Sequence, residues 1–136
     1  MTIQLSITVR NARLDSIQTA VGTAPVLRFY TGTQPANCAT ATSGTQLVTY
    51  TLASSRASAA SSGSKAFSGP PISGTSGATG TLGYYRLFDS TATTCHMQGS
   101  ITATGGGGDL TVDTVTISSV GQAVNVTGWT ITDGNA

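Results

Sequence analysis

The chain has 136 residues, of which 8% are charged, with a net charge of +1 and no glutamate. That length makes a single domain. The five arginines and one lysine are scattered singly, which excludes a basic nucleic-acid face, and 38% hydrophobic residues exclude a disordered chain.

Residues 6–21 predict a helix. Ser6 is placed to cap its start and Gly22 to end it, with Ile7, Leu14, Ile17 and Val21 on one stripe and Arg10 on the same side. Such a helix either packs on the side or end of a sheet or docks a partner. Residues 24–31 and 45–52 predict strands, each alternating bulky with polar side chains. Between them, residues 32–44 form a long loop holding Pro35, Asn37 and Cys38.

Residues 53–81 predict a loop-rich segment of small residues, anchored by Phe67 and Ile72 around Pro70-Pro71. It is a surface element rather than a domain boundary, because neither half of the chain would carry enough core alone. Residues 82–88 and 93–104 then predict a hairpin at the centre of a sheet, turning at Asp89–Ala92, with Gly99 as a bulge or a point of close approach. Four consecutive glycines, 105–108, lead into a strand at 110–117. They lack the spacing and the following Lys-Ser/Thr of a phosphate-binding loop. The last strand, 123–132, puts Val124 and Val126 inward, and a bulge at Thr127-Gly128 brings Trp129 and Ile131 onto the same core. One helix and six to eight short strands make an all-β chain: a jelly-roll-like antiparallel β-sandwich with one N-terminal helix.

The inventory for chemistry is thin. His96 follows Cys95 directly, so a strand points the two to opposite faces. Asp109 and Asp113, at i and i+4, stand about 13 Å apart in an extended strand, too far for a carboxylate pair. The remaining aspartates read as turn residues, and the ligand count is too low for zinc or clustered calcium donors. Cys38 and Cys95 read as reduced, buried small hydrophobes rather than a disulfide. Trp129 reads as a core plug, with Tyr84 and Tyr85 as the other candidates for stacking on a sugar. No enzyme, cofactor or metal is expected. Residues 1–22 lack the continuous apolar core of a signal peptide, and no run approaches the ~18 apolar residues of a membrane span. The expectation is synthesis in a cytoplasm without export, and no binding to membrane or nucleic acid.

Four segments carry a resemblance: VRNARLDSI (9–17), LRFYTGTQPANC (27–38), YYRLFDSTATTCHMQG (84–99) and DLTVDTVTISSVGQAVNVTGWTITDGNA (109–136). They resemble the cement, or decoration, proteins of tailed-bacteriophage heads, and cover both ends and the centre but not residues 53–80. The resemblance implies a jelly-roll β-sandwich made in the host bacterial cytoplasm. It would bind as a homodimer to the outer surface of the capsid and stabilise the shell of major capsid protein. It supplies no catalytic residues. The residues expected to meet a partner are Arg10, Arg13, Arg28, Tyr84 and Arg86. The alternative expectation is a carbohydrate- or receptor-binding β-sandwich module of a tail or adhesin.

Overall fold

The structure, a computed structural model, describes residues 3–67 and 72–134; the Pro70-Pro71 pair between the expected anchors lies outside the described residues. Helix α1 (Ile7–Val21) is followed by strands β1 (Val26–Thr31), β2 (Gln46–Thr51), β3 (Ser64–Ala66), β4 (Ser73–Thr75), β5 (Gly80–Phe88), β6 (Cys95–Ala103), β7 (Leu110–Val112), β8 (Thr116–Ile117) and β9 (Ala123–Thr132). The fold is mostly β with one N-terminal helix, as the pattern predicts. Its strands run β2-β1-β5-β6-β7-β9-β3, and the β5–β6 hairpin occupies the middle. The sheet curls: β4 pairs with β9, while a Val48–Ser76 bridge and a hydrogen bond from Gly77 N to Leu47 O tie the end of β4 back to β2.

Curling encloses one core. Leu27, Phe29, Leu47, Leu87, Leu110, Val112 and Val124 are buried in it. Trp129 stacks on Phe67 at 4.3 Å, meets the edge of Tyr85 at 5.3 Å, and donates its indole N–H to the Tyr85 hydroxyl at 3.1 Å. The bulge in β9 falls where the alternation requires it. Thr111 faces Gly128 but Val112 faces Val126, so Thr127 is the extra residue and Trp129 comes back inward.

Three expectations are corrected and one is settled between its two alternatives. First, the sheet is mixed, because β7 runs parallel to β6, with Ile101 opposite Leu110. Parallel neighbours ordinarily need a crossover of a dozen or more residues; here the glycine run turns the chain back in a few. Gly105 and Gly107 take φ +86° and +78°. A Cβ at Gly106 or Gly108 would sit 2.8 Å or 2.9 Å from Thr102, whose hydroxyl accepts the Gly108 N–H.

Second, 110–117 is two strands. Asp113 accepts the backbone and side-chain N–H groups of Asn125, which turns the chain off β9, and β8 then pairs with β5. Third, Gly99 is a close-approach site rather than a bulge: its missing Cβ would stand 2.8 Å from the Tyr85 ring. The register shift lies at His96, between Cys95 and Met97. Fourth, the small-residue segment contains β3 and β4, and Phe67 is buried as anticipated.

Candidate partner-contact site

Helix α1 lies at the β3–β9 end of the sheet. Ser6 caps it, its hydroxyl accepting the Val9 N–H at 3.3 Å, and Gly22 ends it with φ +70°. Only Leu14 and Val21 of the helix are buried, worth about 2 kcal/mol each. Polar ties do much of the rest. Arg10 reaches over Gly63 to the Asp133 carbonyl, hydrogen-bonding through both Nε and Nη2. Asn11 Oδ1 accepts the Gly63 N–H at 2.9 Å. Arg13 pairs with the Asp133 carboxylate at 3.3 Å while its side chain stays 60% exposed. Asp15 binds the Lys65 ammonium at 2.6 Å and the Ala60 N–H at 2.9 Å. Arg56, buried, aims its guanidinium at the carbonyls of Gln18 and Gly22, where a helix C-terminus leaves acceptors unpaired.

These contacts explain the small-residue segment. It delivers Arg56 and Lys65 to the helix, and its alanines and serines let the backbone come within hydrogen-bonding distance of Asp15.

The first turn of α1 is different. Ser6, Ile7, Thr8 and Val9 are all exposed. Ile7 is 48% exposed and Val9 45%, and Ile3 just before them is 79% exposed. Ile7 was expected on the packed stripe and is instead about half exposed.

Arg28, Tyr84 and Arg86 come together on the outer face of β1 and β5, opposite the core. Arg28 and Arg86 are direct cross-strand partners. Tyr84 stacks on Tyr30 at 5.1 Å and 14°, exchanging hydrogen bonds between its hydroxyl and the Ser43 backbone. Arg86 donates to the carbonyls of Asn37 and Thr40 at 2.9 and 2.8 Å and through Nε and Nη2 to Gln98 Oε1, and Gln98 in turn donates to Pro35 O. The loop 32–45 is thereby folded down over this face.

Tyr84 and Arg86, expected at a partner surface, are 0% and 2% exposed. Their side chains hold the protein's own loop, because an internal set of carbonyls satisfies the fork of Arg86. Arg28 is half-buried with its guanidinium 5.4 Å from the Phe88 ring, and its Nε is buried without a hydrogen-bond partner. Among the described residues the ion pairs are Arg13–Asp133 and Lys65–Asp15, so neither Arg28 nor Arg86 meets a carboxylate.

The groups considered for other chemistry are dispersed. His96 is exposed at the β6 bulge. Asp109 accepts the backbone and hydroxyl of Ser100, the hydroxyl bond first in holding its carboxyl below the usual value. Asp89 closes the β5–β6 turn, and the Thr93 N–H lowers it likewise. No group of three metal-ligating side chains occurs among the described residues. Trp129, Tyr84 and Tyr85 are all buried, so none is an exposed sugar platform. No helix among the described residues is long and apolar enough to cross a membrane.

Sequence reasoning missed the proximity of the cysteines. Cys38, on the loop 32–45, and Cys95, at the start of β6, carry free thiols, as expected. They are half-buried rather than buried, and their sulfurs are 2.8 Å apart. Nothing in the local pattern of a residue in an irregular loop signals its partner across the sheet. Comparison with known protein families, curated proteins and solved structures finds no match to this chain.

Proposed function

We propose that this chain is a structural, non-enzymatic virion protein: it binds the outer surface of a phage head, as a homodimer, and stabilises the shell of major capsid protein. The reading includes a jelly-roll-type arrangement of the curled sheet and a place on the virion after synthesis in the bacterial cytoplasm. The four segments that resemble decoration proteins support it, and they include residues 9–17 of α1, residues 32–38 of the loop and the whole of β9.

The observation that carries the proposal is the exposed first turn of α1. Three large aliphatic residues are exposed at the start of α1, Ile3 just before it and Ile7 and Val9 in its first turn, while its later turns are tied to the rest of the fold by five polar side chains: Arg10, Asn11, Arg13, Asp15 and Gln18. A rigid base under an exposed apolar tip suits insertion between subunits, where apolar area adds roughly 25 cal/mol per Å² buried. Charges are sparse on the rest of the surface, which suits contacts repeated over a shell.

A ligand that binds the assembled shell and not its free subunits stabilises the shell by mass action. Heads assembled without this protein should therefore bind it saturably and gain resistance to heat or denaturant. Binding to free capsid subunits but not to heads would contradict the proposal.

A further inference from the structure

We propose that Cys38 and Cys95 are a site of oxidative cross-linking, forming an intrachain disulfide that fastens the loop 32–45 to the start of β6. Three observations meet here. The sulfurs are 2.8 Å apart, roughly 0.8 Å beyond the ~2.05 Å of a formed bond. The loop bearing Cys38 is held in place on both sides of it, with Arg86 gripping the carbonyls of Asn37 and Thr40 and Asn37 Oδ1 accepting the N–H groups of Ala39 and Thr40. The thiols therefore meet as a consequence of the fold and need no loop movement to react. Both also line an open pocket of about 320 Å³ shared with Arg28, Tyr30 and Arg86, and both are half-buried, so a small oxidant can reach them.

The geometry also assigns the roles. The Cys95 thiol donates to Cys38 Sγ. Burial first, and then this hydrogen bond, push the Cys95 thiol up to about 12. Cys38 is the nucleophile toward the oxidant, and Cys95 resolves.

With oxidised glutathione as oxidant, the Cys38 thiolate attacks one sulfur of its S–S bond. One glutathione leaves and a mixed disulfide stays on Cys38. Cys95 then gives up its proton, attacks Cys38 Sγ and expels the second glutathione. Two protein thiols lose two electrons, the glutathione disulfide gains them, and the two protons end on the two released thiols.

The test treats the purified, reduced, folded chain with oxidised glutathione and follows thiol titration under denaturing conditions, intact mass and non-reducing peptide mapping. The expected result is loss of both thiols, a mass lower by about 2 Da with no glutathione retained, a peptide pair joining Cys38 to Cys95, and a melting temperature several degrees higher, reversed by dithiothreitol. Cys95→Ser should stop at a single glutathione on Cys38. Cys38→Ser should react far more slowly. Two stable glutathione adducts, two thiols that stay free, or a cross-link between chains would each overturn the proposal, and folding of the Ser variants is checked by their melting before treatment.

Discussion

Lys65 and Asp15 form an ion pair with unequal burial: the lysine side chain is 1% exposed, the aspartate 44%, and their charged atoms are 2.6 Å apart. The lysine is the costly partner, since its charge is out of water on a strand that faces the helix. Ser58 O accepts a second hydrogen bond from it at 2.9 Å.

Removing Asp15 should therefore hurt more than removing Lys65. Asp15→Ala leaves a buried ammonium with one neutral acceptor and should lower the unfolding free energy, by less than for a fully buried pair because water screens the aspartate side. Lys65→Met removes the charge together with its desolvation penalty and should cost less than half as much. Urea titrations with unchanged slope decide the order, and the reverse order would show that the pair contributes nothing to docking α1.

The same carboxylate contributes to a dependence on pH. The hydrogen bond from Lys65 holds Asp15 below the ordinary 3.8, and bonds from Thr93 and Ser100 do the same for Asp89 and Asp109. Burial pushes Asp113 up, but the Asn125 bonds outweigh it. Groups depressed in the folded state add stability above their unfolded value and lose it as pH falls through the folded one. Stability should be level near neutrality and fall below about pH 4. At the other end, burial pushes Tyr85 up to about 12 from 10.0. Its contribution is full below pH 10 and is lost between 10 and about 12. Melting temperature against pH checks both limbs.

Much of this architecture was legible from residue pattern. The Ser6 cap, the Gly22 stop, the β5–β6 hairpin and the β9 bulge are local devices, set by neighbours a few positions away, and each falls where its residues indicate. What was not legible depends on partners distant in sequence. The break at Asp113 needs Asn125, the parallel return of β7 needs Thr102 beside the glycines, and burial of Arg86 needs the carbonyls of a loop nearly fifty residues earlier. An arginine on a strand reads as surface until such acceptors appear. The contact residues were the least legible, because Ile7 and Leu14 lie on one stripe and only the position of the sheet separates the exposed one from the buried one.

Trp129 tests the core. Trp129→Ala removes a ring packed on Phe67 and Tyr85 and should cost about 3–5 kcal/mol. Tyr85→Phe leaves the buried indole N–H without its acceptor and should cost about 1–2 kcal/mol. A Trp129→Ala protein with unchanged stability and a lost glycan interaction on an array would instead favour the carbohydrate-binding alternative.

Arg86 tests the loop. Arg86→Met leaves the carbonyls of Asn37 and Thr40 and the amide of Gln98 without their donor, and should release the loop 32–45 to hydrogen exchange and protease well before global unfolding. Arg86→Lys should rescue little, since one ammonium cannot span acceptors arranged for a planar fork. Exchange mapped by peptide distinguishes local release from general destabilisation.

The most direct measurement of the central claim compares the wild-type chain with the double variant Ile3→Asp/Ile7→Asp in co-sedimentation with heads assembled without this protein. Both positions are exposed, and Leu14, Val21 and the polar ties stay in place, so the variant should melt within about a degree of wild type. The account predicts saturable binding of the wild type with a gain in head stability, and at least a tenfold loss of affinity for the variant. Equal binding of both would show that the exposed start of α1 is not the contact, and no binding of either, with the wild type folded, would contradict the capsid-decoration reading itself.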